Sequence, residues 1–289
     1  MRLLAGGASK EAWDVDSETG RLIVRRAAGG VIHSDTLSLE HEFAVLKAAF
    51  EAGVSVPRPV AYLGSLGERA AFAMERVEGE TIGRRIVKAP PRGLETQLAD
   101  QLAAIHAIPP ARLPFLRASD PVERLRGELD SVEEPHPAIE YGLRWLDERR
   151  PVPLPDVVTH GDFRIGNVVV GPGGLVALLD WEFAHLADPR EDLSWPLVRA
   201  WRFGADGLRL GGVGDLEPYL ERYRERTGVV VVGEELHWWE VLGNAKWAVG
   251  ALTQSRRHLN GLERSVELAV LGRIAAEMEY ELLDLIEAA

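Results

Sequence analysis

The stretch VVTHGDFRIGNVVV (157–170) sets His160, Asp162, Arg164 and Asn167 between two short β-branched runs. An aspartate in such a loop can accept or orient the proton of a hydroxyl. An asparagine amide oxygen can serve a hard cation, and an arginine can meet a phosphoryl group. His160 reads as a brace for the loop rather than a reacting group. Taken alone, the four make a polar turn with an Asx hydrogen bond. The next stretch adds to them: Asp180 ends the apolar run LVALLD, thirteen residues after Asn167. With NVVV before it and GPGG as the turn, the pattern predicts a hairpin that brings Asn167 and Asp180 to one end. A carboxylate beside an amide oxygen suits Mg²⁺, which takes oxygen ligands and shares them with phosphates. Glu182, two residues on, points the same way from a strand, as a support for the ligands or a ligand to a second metal.

The spacing from His160 to Asp162 to Asn167 matches the protein-kinase catalytic loop H-R-D-L-x-x-x-N. There the aspartate meets the substrate hydroxyl and the asparagine meets the metal. Other motifs fail. No G-x-x-x-x-G-K-[ST] occurs, GGVGDL (211–216) lacks the third glycine of a dinucleotide fingerprint, and HEFAV (41–45) lacks the second His of a zinc-protease helix. His185, His237 and His258 have no metal-ligand spacing.

These groups need a frame. EAWDVDS and RLIVRR are strand-like runs around a turn at Glu18-Thr19-Gly20, and PRPVAYLGS and AAFAMERVEG are two more around Leu66-Gly67-Glu68. From Ser38, the recurrence of Leu39, Phe43, Leu46 and Phe50 predicts a helix face, stopped by Gly53. After Gly79 the character becomes helical: Leu94, Leu98, Leu102 and Ile105 share a face that ends before Pro109-Pro110, and Ala138–Arg149 reads as another helix. A β-rich patch over 157–183 interrupts this pattern. From Pro189 onward the chain is mostly helical, with Leu268, Leu271, Ala275, Met278, Leu282 and Leu285 on a seam of ordinary core packing. Trp238, Trp239 and Trp247 at helical spacing read as core more readily than as pocket lining.

Composition bounds the partners. The 289 residues suffice for one large domain or two modest ones. Cysteine is absent, which excludes disulfides and thiolate metal sites. A formal net charge of −12 argues against a nucleic-acid partner. No run approaches the roughly 18 apolar residues of a membrane span. MRLLAGGASKEAW lacks the apolar core of a signal peptide, so the expected setting is cytoplasmic.

His160-Gly161-Asp162 with Asn167, then Asp180-Trp181-Glu182, then DPREDLSW (188–195) together resemble the aminoglycoside phosphotransferase family, a branch of the protein-kinase-like superfamily. LAGGASKEAW is similar to its N-terminal glycine-containing loop, and LIVRR to its cation-bearing strand. HEFAVLKAAFEAGVSVPRP is similar to its glutamate helix, and ADQLAAIHAI to the helix behind the catalytic loop. The resemblance covers nearly the whole chain. It implies an α+β, two-lobed protein-kinase-like fold, with a small β-rich N-lobe (1–77) that binds nucleotide. A larger, mainly helical C-lobe (78–289) would carry the catalytic β-hairpin, the metal site and the acceptor site. Gly6, Gly7 and Ser9 in the loop Gly6–Lys10 would offer backbone N–H groups to ATP phosphates. Glu75 and Val77 would present backbone groups to adenine, beside Met74. Glu42 would pair with Arg25, and Asp192 would hold the catalytic loop.

Two departures stand out. Arg25 occupies the place of the family's lysine, and the metal triplet is Asp-Trp-Glu. With Arg25-Arg26 and HGDFRIGN, these resemble most the kinase-like domains associated with acyl-CoA dehydrogenases. The expectation is transfer of phosphate from ATP, with Mg²⁺, to a hydroxyl of a small molecule. Asp162 and Arg164 would be catalytic, Asn167 and Asp180 metal ligands, and Arg25 a phosphate-facing cation. Two rivals are a catalytically silent nucleotide- or partner-binding protein on the same scaffold and a magnesium-dependent hydrolase. The hydrolase leaves the N-terminal motifs unexplained.

Overall fold

The computed structural model describes residues 1–4, 10–18, 20–28 and 36–289, without the side chains of 233 and 234. Gly6, Gly7 and Ser9 lie outside the described residues. The chain packs as two compact units, Met1–Arg117 with Pro155–Val230, and Ala118–Leu154 with Val231–Ala289.

The first unit opens on an antiparallel sheet of β1 (Arg2–Leu4), β2 (Lys10–Ser17) and β3 (Gly20–Ala27). After α1 (Leu39–Glu51) it adds β4 (Pro59–Leu66) and β5 (Arg69–Glu75), in the order β1-β2-β3-β5-β4. Arg25 faces Ala12 across the β2–β3 ladder. Side chains alternate along a strand, so Lys10, two residues before Ala12, shares the face of Arg25. Ser38 caps α1, its hydroxyl accepting the His41 N–H at 3.2 Å.

The buried stripe of α1 differs from the expected one. It contains Leu39, Glu42, Val45, Leu46 and Ala49, whereas Phe50 is exposed. The stripe is rotated because the Glu42 carboxylate turns inward to meet cations from the sheet.

Next come α2 (Gly83–Ile86) and α3 (Leu94–His106), the latter burying Leu94, Leu98, Leu102 and Ile105 as the spacing predicts. The chain leaves for α4 (Pro121–Asp130) and α5 (Pro137–Glu148) of the second unit. It returns through β6 (Val157–Thr159), β7 (Val168–Gly171), β8 (Gly174–Leu178) and β9 (His185–Ala187), then α6 (Arg190–Ser194) and α7 (Leu216–Thr227), which packs on α3.

The two valine runs around HGDFRIGN are not partners. β6 pairs with β9, and β7 pairs with β8, so the loop 160–167 connects two separate small sheets. A tight hairpin is unavailable to the two runs, since eight residues and a 3-10 turn at Ile165–Asn167 separate them.

The second unit holds α4, α5, α8 (Gly233–Leu259) and α9 (Val266–Glu287). In α9, Leu268, Ala275, Met278, Leu282 and Ile286 are buried; Ile286 takes the place expected for Leu285. Trp238 and Trp239 are core, meeting edge to face at 4.9 Å, and the Trp238 indole N–H donates to the Leu146 carbonyl at 2.9 Å. Among the described residues, no helix is long and apolar enough to cross a membrane.

Candidate active site

The β7–β8 hairpin fixes the site's first relationship. Val168 faces Leu178, and the Leu179 N–H donates to the Asn167 carbonyl at 2.8 Å, so Asn167 and Asp180 sit at one end. This is the convergence expected from the sequence. Asp180 itself is not in the strand. It adopts the left-handed conformation (φ 60°), and Trp181–Phe183 then form a 3-10 turn. Glu182 therefore leaves from a turn rather than a strand. A non-glycine residue held left-handed costs on the order of 1–3 kcal/mol, and such strain clusters at ligand sites.

The loop 160–167 is held from below by Asp192 on α6. Its carboxylate accepts the His160 N–H at 2.7 Å and the Gly161 N–H at 3.0 Å, and His106 of α3 stands 3.3 Å away. Burial raises the Asp192 carboxyl, but the His106 hydrogen bond, nearby imidazoles and the backbone donors outweigh it and hold it below the usual range. His160 is 1% exposed, and burial pushes its imidazole down. Its Nε2 donates to the Leu179 carbonyl at 2.9 Å and its Nδ1 accepts the Asp162 N–H at 3.3 Å. His160 is thus the brace expected of it. Gly161 cannot be replaced cheaply: at φ 77°, an added Cβ would lie 2.2 Å from the Phe183 carbonyl oxygen.

Asp162 is held by three donors. Arg164 Nε at 3.0 Å and the Trp195 indole N–H at 2.7 Å donate to Oδ1, and Asn167 Nδ2 at 2.6 Å donates to Oδ2. The same Asn167 amide group donates to the Asp162 carbonyl at 2.9 Å. These acceptors fix which way the amide points, and its oxygen is the atom left for a metal. The Arg164 guanidinium also lies over the Trp201 ring, 4.3 Å from the centroid. Trp195 and Trp201 were not singled out as site residues from the sequence, although Trp195 closes the quoted run DPREDLSW.

A chain of alternating charges leads from Asp180 to the sheet. Arg25 Nη1 is 2.5 Å from Asp180 Oδ1, and Arg25 Nε is 3.5 Å from Glu42 Oε1. Lys10 Nζ is 2.5 Å from Glu42 Oε2 and 2.7 Å from Glu182 Oε2. The expected Glu42–Arg25 pair is therefore present as a long contact, while the short one is made by Lys10. Burial raises the Asp180 carboxyl, but the charge and hydrogen bond of Arg25, with Arg164 and Lys10, bring it below its usual value. Burial lowers the Arg25 guanidinium, and Glu42 and Asp180 more than reverse this. A small cavity is lined by the charged Arg25, Glu42 and Asp180 and by the apolar Phe72, Met74 and Leu179.

The donor set fits a magnesium ion. It offers one ionised carboxylate and one oriented amide oxygen, and among the described residues no group of three or more His, Asp or Glu forms a fuller cage. Mg²⁺ commonly takes one or two protein oxygens and fills its shell with water and phosphate.

At the end of β5, the Glu75 N–H is already used by the Arg58 carbonyl at 2.9 Å, and its side chain pairs with Arg58 at 2.5 Å. Val77 has no hydrogen bond among the described residues, which leaves its backbone for a ligand. Glu80 then bridges to β7, its N–H donating to the Val170 carbonyl at 2.8 Å. Gly79 permits this approach, since a Cβ there would lie 2.6 Å from Val169 Cγ1.

The phosphotransferase enzyme family model matches residues 1–226. Acyl-CoA dehydrogenase family member 10 of Mus musculus is 25% identical over 310 aligned positions, covering 94% of this chain and 28% of that protein. The chain thus spans little more than a quarter of that relative's length. Of solved structures, a Ralstonia eutropha protein classed with the aminoglycoside phosphotransferases superposes with a TM-score of 0.77 at 20% identity, covering 100% of this chain and 92% of the other. Spectinomycin phosphotransferase, in complex with ADP and spectinomycin, gives 0.68 at 16% identity, covering 99% and 92%. These likenesses show a shared kinase-like fold, as expected from the sequence.

Proposed function

The chain belongs to the phosphotransferase enzyme family, and we propose that it transfers a phosphoryl group from ATP, with Mg²⁺, to a hydroxyl of a small molecule. The observation that carries this reading is the convergence of Asp162, Asn167 and Asp180 through one braced loop and one hairpin. In this reading, residues 1–77 bind nucleotide and residues 78–289 carry the catalytic loop, metal ligands and acceptor site.

Three donors fix the plane of the Asp162 carboxylate, which keeps capacity for a further hydrogen bond from the acceptor hydroxyl. Asp162 orients that hydroxyl and takes its proton as the hydroxyl oxygen bonds to the γ-phosphorus and the bond from that phosphorus to the ADP leaving group breaks. Arg164, beside it, answers charge on the transferred group. Asn167 and Asp180 would hold the metal, and Arg25 would answer the charge of the phosphates. When bound, Mg²⁺ supplies a Lewis acid that offsets the negative charge of the phosphates. The backbone of Val77 and the Glu75 carbonyl are offered to the adenine. Gly6, Gly7 and Ser9 are assigned to the phosphates by their place in the family's loop. The work of the protein is positioning and charge stabilisation. A cytoplasmic setting supplies both ATP and Mg²⁺.

A second reading, a nucleotide-binding protein without transfer activity, draws on Arg25 covering the Asp180 carboxylate. One experiment separates the two. Thermal stabilisation by ATP with Mg²⁺ is measured first, followed by a phosphate-transfer screen over aminoglycosides, amino alcohols, sugars and hydroxy acids. Stabilisation together with transfer is expected. Stabilisation without transfer to any acceptor favours the silent reading, and neither effect refutes both.

A further inference from the structure

Lys10 closes the loop whose backbone is assigned to the phosphates, and its side chain, which has no role above, makes two short carboxylate contacts near the site. It is the first residue of β2 and is 8% exposed. Its ammonium lies between Glu42 Oε2 at 2.5 Å and Glu182 Oε2 at 2.7 Å. Those two carboxylates come from different elements, α1 and the turn after Asp180, so the ammonium is fixed from two sides. An ammonium has three N–H donors, and the two carboxylates engage two of them. Arg25 behaves differently. Its close partner is Asp180 at 2.5 Å, and it reaches Glu42 only at 3.5 Å.

A buried lysine between carboxylates is costly unless the charges are matched, and bare structural support would be served by apolar residues. Here the short pair with Glu42 belongs to the lysine of β2, not to the arginine of β3. We propose that Lys10 is the nucleotide-binding cation, its third N–H directed to a phosphate oxygen and its position set by Glu42 and Glu182. Arg25 chiefly screens Asp180 and gives that carboxylate up to the metal. The compact, flexible-stemmed ammonium suits a single phosphate oxygen, whereas the planar guanidinium suits a carboxylate. The inference rests on the nucleotide reading above and deepens it by moving the phosphate anchor to the neighbouring strand.

The test is titration of a fluorescent ATP analogue onto wild type, Lys10→Met, Lys10→Arg and Arg25→Met, each with excess EDTA and again with Mg²⁺. A melt of each unliganded variant runs alongside. Losing a charge-assisted hydrogen bond corresponds to about a tenfold to hundredfold weaker affinity. Lys10→Met is expected to show that loss in both conditions, with KM for ATP rising more than kcat falls. Lys10→Arg is expected to recover most of it. Arg25→Met is expected to keep metal-free affinity within about threefold and instead to shift the Mg²⁺ concentration needed for half-maximal binding. Equal affinity of wild type and Lys10→Met overturns the inference while leaving the kinase reading intact, as does a metal-free loss confined to Arg25→Met. If Lys10→Met fails to fold, Lys10→Arg and Arg25→Met decide: metal-free affinity largely kept in both supports the inference, whereas a folded Lys10→Arg that binds no analogue, or a metal-free loss in Arg25→Met, overturns it. A wild type that binds no nucleotide sinks both this inference and the kinase reading.

Discussion

Asp192→Asn tests the support on which the candidate site stands. The wild-type carboxylate uses both oxygens on consecutive backbone N–H groups, at 2.7 Å from His160 and 3.0 Å from Gly161. Asparagine keeps one acceptor oxygen and replaces the other with an NH₂. One buried N–H must then face a donor, and the remaining bond loses its charge assistance. A hydrogen bond to a charged group contributes about 1.5–3 kcal/mol, and a buried donor left unmet costs about 1–3 kcal/mol. Asparagine also avoids desolvating a charge, so the lower part of the sum applies, roughly 3 kcal/mol. At ~2–4 °C per kcal/mol for domains of comparable size, the melting midpoint should fall by roughly 6–12 °C. The assay is thermal unfolding followed by circular dichroism, with Asp206→Asn as control. Asp206 pairs with Arg199 on the surface, and removing such a pair is worth under about 1 kcal/mol. Where phosphate transfer is measurable, kcat should fall more than affinity for ATP, because the loop that begins at His160 carries Asp162 and Asn167. A midpoint within about 2 °C of wild type, or a drop no larger than that of Asp206→Asn, would refute the claim that Asp192 holds the loop.

Asp162→Asn should retain stabilisation by Mg²⁺ and ATP while transfer falls by at least about 10²-fold; full turnover would remove Asp162 from the chemistry. Asp180→Asn should fold and lose the Mg²⁺-dependent part of nucleotide stabilisation, and an unchanged shift with Mg²⁺ would contradict its role as a ligand. Gly161→Ala should lower the melting midpoint, since alanine at φ 77° costs about 1–2 kcal/mol before the 2.2 Å approach to Phe183 is relieved. Gly173→Ala, with nothing within 4 Å of its added Cβ, is the matched control. Stability should also fall as pH drops. His160 has a folded value below its ordinary 6.5, so the unfolded chain binds the extra proton and stability is lost below about that pH. Asp192, depressed below its ordinary 3.8, adds a further loss as pH falls through its folded value. Replacing His160 by Gln should flatten the midpoint's decline between about pH 7 and 5; an unchanged slope would show that other groups carry it.

Local patterns that carry their own period were legible. The Asn167–Asp180 convergence followed from two valine- and leucine-rich runs around GPGG, because a short hairpin fixes its own register. Helix α3 was equally plain, with Leu94, Leu98, Leu102 and Ile105 at helical spacing. Pairings between distant segments were not. β6 and β9 are three residues each, too short for alternation to show, and their pairing across 157–159 and 185–187 is set by tertiary packing. Helix α4 went unread although Asp120-Pro121 is a start signal, with Asp120 accepting the Val122 and Glu123 N–H groups at 3.0 and 3.1 Å.

The charged interior of the first unit shows why residue roles are harder to read than residue types. The family resemblance implies that Glu42 pairs with Arg25 of β3, although β3 carries three arginines and α1 three glutamates. The fold supplies a second cation from the adjacent strand, and distance decides between them: Lys10 at 2.5 Å against Arg25 at 3.5 Å. That choice depends on which face of β2 points inward, hence on the register of Ala12 against Arg25. It also depends on Glu182 leaving a 3-10 turn instead of a strand, since a continued strand would not set its carboxylate by the rule that brings it 2.7 Å from Lys10. The left-handed Asp180 makes that turn possible. One strained residue therefore does two things: it ends the hairpin beside Asn167, and it swings Glu182 back toward the sheet, where its carboxylate and that of Glu42 hold the Lys10 ammonium from two sides.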